Sequence, residues 1–134
     1  MGIRFAHLAG ALFVLNLAAP ALAQTSYPNR PVRLIVPYPP GGSTDFVGRE
    51  IAHQLSGAWG QQVIVDNRPG AGSQIGIALG ARANSDGYTI TFGTSATLAV
   101  NPGLGVKMPF EPHRDFVPIG MMVYVPYVLV ANAS

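Results

Sequence analysis

Two periods of apolar residues alternate along the chain. Val32-Arg33-Leu34-Ile35-Val36 is a β-branched run that stops at Pro37, which predicts a buried strand. A loop rich in Pro and Gly follows, from Tyr38 to Asp45. Phe46, Val47, Ile51, Ala52 and Leu55 then recur at helical spacing and predict an amphipathic helix, ended by Gly57 and Gly60. The pattern repeats. Gln62 to Asp66 reads as a second strand and Asn67 to Gly72 as its loop. Ser73 is the candidate N-cap of a helix carried by Ile75, Ala78, Leu79 and Arg82. Tyr88 to Phe92 is the third strand, and Gly93 to Thr97 leads into a helical turn reaching Val100. Met108 to Asp115 reads as irregular. Val117 to Val130 carries no charged residue, and Pro126 is expected to divide it into two strands. Strands alternating with helices predict an α/β fold, a mostly parallel sheet flanked by helices.

The start of the chain has a different pattern. Arg4, an apolar run from Leu8 to Ala19, and Ala21-Leu22-Ala23 before Gln24 have the layout of a secretory signal peptide over residues 1–23. The expected mature chain is 24–134, exported to a bacterial periplasm. The absence of cysteine from all 134 residues suits that compartment better than a disulfide-stapled secreted domain. A hydrophobic fraction of 49% excludes intrinsic disorder. Eight Lys/Arg against six Asp/Glu, with no basic cluster, make nucleic acid an unexpected partner.

In a parallel sheet, ligands sit beyond the carboxyl ends of the strands. Here those ends run into three loops of small residues: Pro40-Gly41-Gly42-Ser43-Thr44, Gly70-Ala71-Gly72-Ser73 and Gly93-Thr94-Ser95-Ala96-Thr97. Each offers backbone N–H groups and hydroxyls beside a helix N-terminus, which together describe a small anion site for a carboxylate or phosphate. Asp45 lies in the first turn of its helix with Arg49 four residues on. It is expected to turn back on that terminus and hold the loop rather than touch the anion.

Other chemistries find little support. Gly70-x-Gly72-x-x-x-Gly76 departs from the dinucleotide fingerprint, because Asn67-Arg68-Pro69 separate it from its strand. No Lys precedes Ser43 or Thr44, so the first loop is not a P-loop. His53 has Gly57 four residues on and so no ligand pair, and Glu111 and Asp115 either side of His113, in a Pro-rich stretch, read as a solvated charge group rather than a metal site. None of Ser43, Ser73 and Ser95 stands in a nucleophile elbow. No catalytic residue, metal or cofactor is expected. Tyr38 lines a pocket or fills the core; Trp59 is assigned to packing.

The run Tyr27-Pro28-Asn29-Arg30-Pro31-Val32-Arg33-Leu34-Ile35-Val36-Pro37-Tyr38-Pro39-Pro40-Gly41-Gly42-Ser43-Thr44-Asp45 resembles the opening of the Bug family, the periplasmic solute-binding proteins of tripartite tricarboxylate transporters. Asp66 to Gly72, Asp86-Gly87-Tyr88-Thr89, Gly93-Thr94-Ser95, Asn101-Pro102 and Asp115 to Gly120 match in the same order. The resemblance implies a periplasmic-binding-protein (Venus flytrap) fold that closes on a small carboxylate and hands it to membrane transporter subunits, without catalysis. It places the ligand against Pro40, Gly41, Gly42, Ser43, Thr44, Asp45, Gly72, Ser73, Gln74, Thr94, Ser95 and Ala96. Members are more than twice this length. Residues 24–134 are therefore expected to be the N-terminal part of the first domain, with the second domain absent and the apolar 117–130 segment left without partners. The rival readings are an exported α/β enzyme using the same loops as an anion cradle, and a nonfunctional remnant.

Overall fold

The structure, a computed structural model, describes residues 26–126 and 128–132. The signal-peptide segment lies outside them. Strand β1 (Val32–Val36) is followed by α1 (Ser43–Trp59), β2 (Val63–Asn67), a tight turn at Ala71–Ser73, α2 (Gln74–Ala81) and β3 (Thr89–Thr91). A wide helical turn (Ala96–Val100) then continues into α3 (Asn101–Gly103), and α4 spans Pro112–Asp115.

The three strands form a parallel sheet in the order β2-β1-β3, with Leu34 opposite Val65 on one side and Ile90 on the other. The most apolar strand is the central one, as its position requires: a strand covered on both faces and paired at both edges has no polar side. Val32, Leu34, Ile35 and Val36 are all buried. Alternation sends Val32, Leu34 and Val36 to one face, where they pack with Ala52 of α1 and Val63. A second cluster gathers Ile77 and Ala78 of α2 with Phe110. Close approach of the helices depends on two glycines. A Cβ at Gly48 would stand 2.9 Å from Val36 Cγ2, and one at Gly76 would stand 2.6 Å from the Arg68 carbonyl.

Several expectations need correction. Helix α1 runs through Gly57 and stops only at Gly60, whose left-handed backbone (φ 64°) no side chain adopts cheaply. Its buried stripe is Asp45, Gly48 and Ala52, whereas Phe46 is 73% exposed. The second strand lies one residue later than predicted. The third is shorter by a residue at each end, although Tyr88 and Phe92 still hydrogen-bond β1 through Arg33 N–H (2.9 Å) and the Ile35 carbonyl (2.9 Å). Helical structure passes Val100 without a break into Asn101–Gly103, Val100 and Asn101 both keeping helical backbone angles. The irregular stretch contains α4, where Pro112 stands in the first turn. Over 117–130 the described residues form no strand. Pro118 and Pro126 lack the N–H that a ladder needs, and no described strand runs beside them. Val117, Ile119, Met121 and Leu129 are among the side chains left exposed there.

Candidate functional site

Because the sheet is parallel, β1, β2 and β3 all end at one edge, and the three small-residue loops meet there. Two hydrogen-bond networks tie them together.

The first is built on Asp45. This carboxylate is 3% exposed, yet both its oxygens are hydrogen-bonded. Oδ2 accepts from the Gly41 N–H (2.9 Å) and Arg49 Nε (2.9 Å), and Oδ1 accepts from Asn67 Nδ2 (2.9 Å). The Arg49 guanidinium first, then the Gly41 N–H and the Asn67 amide, hold the Asp45 carboxyl at about 2, below its ordinary 3.8. Asn67 also donates to the Tyr38 carbonyl (3.1 Å) and accepts from Arg49 NH2 (3.2 Å). One side chain at the end of β2 therefore fixes the whole β1–α1 loop. Within that loop Gly41 has φ 87°, a left-handed value that suits glycine.

The second network is a file of hydroxyls. Tyr38 Oη meets Thr94 Oγ1 at 3.1 Å, Thr94 meets Thr97 at 3.0 Å, and Thr97 meets Ser73 Oγ at 2.6 Å. Ser73 donates to the Gly72 carbonyl. A carbonyl only accepts, and each hydroxyl has one proton. The donors therefore run in one direction, from Tyr38 through Thr94 and Thr97 to Ser73 and Gly72. All four hydroxyl protons are used within the file.

The loop at Ser73 is strained. Gly70, Ala71, Gly72 and Ser73 have φ of 128°, 47°, 61° and 73° in succession, and two of these residues carry a Cβ. Ser73 occupies the N-cap position of α2 but makes no cap bond, because its hydroxyl is turned toward Thr97. That corrects its expected capping role.

The predicted residues divide accordingly. Asp45 and Ser73 are buried and bonded to protein; Thr44, Gln74 and Thr94 are half-buried. Pro40, Gly41, Gly42, Ser43, Gly72, Ser95 and Ala96 face solvent around the edge. At the start of α1 no side chain caps the helix, so the first-turn N–H groups of Ser43 to Asp45 have no intrahelical acceptor. Arg68 turns away to Asp66 (2.8 Å). Burial opposes ionisation of Asp66, but Arg33 and Arg68 outweigh it and hold its carboxyl below the usual range. Asn67 and Thr97 lie outside the contact set expected from the sequence, and Tyr38, expected in a pocket or the core, stands at the head of the hydroxyl file. Their only sequence signal is a polar residue in the loop after a strand.

The family model for the tripartite tricarboxylate transporter family receptor (TctC) matches residues 47–134. Protein BugT of Bordetella pertussis is 47% identical over 118 residues, covering 87% of this chain and 36% of that protein. MatC from Rhodopseudomonas palustris, solved with bound malate, superposes with a TM-score of 0.68 at 32% identity, over 72% of this chain and 33% of MatC. An R. palustris protein solved with adipate gives 0.60 at 36% identity, over 65% of this chain and 29% of that protein. The chain thus spans about a third of the length of the curated relatives it matches. The order of the strands, the sheet-edge loops and the match along 47–134 agree: the chain belongs to the tripartite tricarboxylate transporter receptor family, in company with the Bug proteins.

Proposed function

We propose that the protein is an exported receptor that captures a small carboxylate and presents it to the membrane subunits of a tripartite transporter, without catalysis and without a cofactor. Residues 1–23 serve as the export signal, and 24–134 supply the N-terminal part of a lobe that faces a second lobe across the ligand. The carrying observation is the loop edge itself. Asp45 and the hydroxyl file brace the three loops from behind, and the N–H groups at the start of α1 lack acceptors. Such donors favour an anion, each charge-assisted bond contributing about 1.5–3 kcal/mol. Gly42 and Gly72, with the exposed Ser43, Ser95 and Ala96, form the contact surface. The malate and adipate held by the related structures are carboxylates of the kind expected here. A non-catalytic reading fits the hydroxyls too: among the described residues, Ser73, Thr94 and Thr97 bond one another, and no histidine or carboxylate receives their protons. Titration calorimetry of the full-length protein against malate, adipate and citrate tests the reading. Saturable binding of at least one, with no turnover by chromatography, is expected. No heat from any carboxylate would overturn it.

A further inference from the structure

The turn between β2 and α2 has a competing arrangement open to it, and one buried side chain outside the turn opposes that arrangement. An N-cap serine ordinarily takes extended backbone angles and accepts from the second or third N–H of its helix. In α2 those are the N–H groups of Ile75 and Gly76. Ser73 instead has φ 73° and ψ −2° and makes no cap bond. It ends a left-handed stretch with Ala71 (φ 47°) and Gly72 (φ 61°), a conformation that suits the glycine and strains the two residues with a Cβ. The bond from Ser73 Oγ to the Gly72 carbonyl lies inside the turn and ties it to nothing else. The bond to Thr97 Oγ1 (2.6 Å) spans 24 residues. Among the described residues it is the one side-chain hydrogen bond that joins Ser73 to another part of the protein. Thr97 is itself fixed. It is fully buried, its N–H donates to the Thr94 carbonyl (3.1 Å), and its hydroxyl accepts from Thr94 (3.0 Å). The start of α2 is pinned separately, since an added Cβ at Gly76 would stand 2.7 Å from Pro37 Cβ. The choice between cap and file is therefore confined to the turn.

We infer that Thr97 is a positioning residue of the carboxylate site: its hydroxyl keeps Ser73 in the file and out of its cap, and so maintains the left-handed turn that shows Gly72 to the ligand. This rests on the carboxylate reading above, in which Gly72 belongs to the contact surface. Which main-chain groups a turn presents follows from its backbone angles, so a relaxed, capped turn presents different ones. Thr97, fully buried, touches no ligand and acts through Ser73. The part that matters is the hydroxyl, not the methyl group beside it.

Two substitutions separate those parts. Thr97→Val keeps the shape and loses the hydroxyl; Thr97→Ser keeps the hydroxyl and loses a methyl. In titration calorimetry of the full-length protein with malate and adipate, Thr97→Val is expected to bind about tenfold more weakly, the equivalent of one charge-assisted hydrogen bond, and Thr97→Ser within about twofold of the wild type. A packing role reverses that order. In the ligand-free protein, the amide-to-α-proton coupling constants of Ala71 and Ser73 follow φ; they are expected to change in Thr97→Val and to stay in Thr97→Ser. The inference fails if Thr97→Val binds like the wild type, or if Thr97→Ser binds as weakly as Thr97→Val. Unchanged coupling constants in Thr97→Val overturn it whatever binds. Those constants need no ligand, so a wild type that binds no carboxylate brings down the proposed function and is told apart from a turn that Thr97 does not hold.

Discussion

The two networks behind the loops do the same job by different physics. The Asp45 network is charged and radial: one carboxylate gathers a backbone N–H, a guanidinium and an amide from two loops and a helix. The hydroxyl file is neutral and linear, passing one proton per link from Tyr38 to the Gly72 carbonyl. The contrast bears on the site proposed for the carboxylate. Asp45 is buried with both oxygens bonded to protein, which shields it from an anion it would repel. The hydroxyls have no proton to spare, so they brace the loops and leave the main chain to donate. The expected grip by hydroxyls beside the glycines is thereby narrowed: Ser73 and Thr94 belong to the scaffold, and only Ser43, Thr44 and Ser95 keep hydroxyls outside the file.

The most severe way to break the comparison is to remove the strand on which both networks stand. Leu34→Ala deletes a fully buried side chain of the central strand and is expected to cost about 2–5 kcal/mol in urea unfolding, with both networks lost together. A more selective cut is Thr97→Val, which keeps the shape and removes the middle hydroxyl of a fully buried link. It leaves Thr94 and Ser73 without their partner and should cost about 1–3 kcal/mol. Ser95→Ala, two residues earlier and exposed, should stay within about 0.5 kcal/mol. Equal effects from the two would mean the file braces nothing.

Acid separates the networks without any cut. The folded pKa of Asp45 is depressed to about 2 from 3.8, so its stabilising contribution is fully present above 3.8 and is lost as pH falls through about 2. The stability gap between the wild type and Asp45→Asn should narrow over that window. The gap to Thr97→Val should not move, since hydroxyls do not titrate there. A constant Asp45→Asn gap in acid unfolding would remove Asp45 from its central place.

The smallest effect on stability is expected at Gly42. Its φ of −82° is open to any residue, and an added Cβ would meet nothing closer than the Pro39 carbonyl at 3.8 Å. A side chain at Gly42 therefore adds no backbone strain. Gly42→Ala should unfold like the wild type, within about 0.5 kcal/mol. If it nonetheless loses carboxylate affinity, the cause is blocked approach to the main chain.

Much of this was legible because it rests on local pattern. The Val32–Val36 run, the Pro-Gly loop and the left-handed stop at Gly60 are written within a few residues of where they act, and so is the Asp45–Arg49 pair. What was missed depends on distant partners. Tyr38 meets Thr94 across 56 residues and Asn67 meets Asp45 across 22, and nothing beside either residue marks its partner. Phe46 misled because an apolar residue at helical spacing need not face the sheet; the stripe that does includes Asp45, whose buried carboxylate draws one donor from Asn67, 22 residues away. Gly57 misled for a similar reason: a glycine weakens a helix by about 1 kcal/mol and need not end it. Val117 to Val130 has the composition of strands but no described strand alongside it to complete a ladder.

In the proposed function, main-chain donors at the start of α1 hold the carboxylate while charges and hydroxyls stay behind the loops. Proton–nitrogen correlation spectra of the full-length protein during a malate titration test it most directly. Downfield movement of the Gly42, Ser43 and Thr44 amide protons is expected as the site fills, with the Arg49 and Arg68 Nε–H signals unmoved. Unmoved amides at Gly42 to Thr44, with a shifted Arg68 Nε–H, would contradict it.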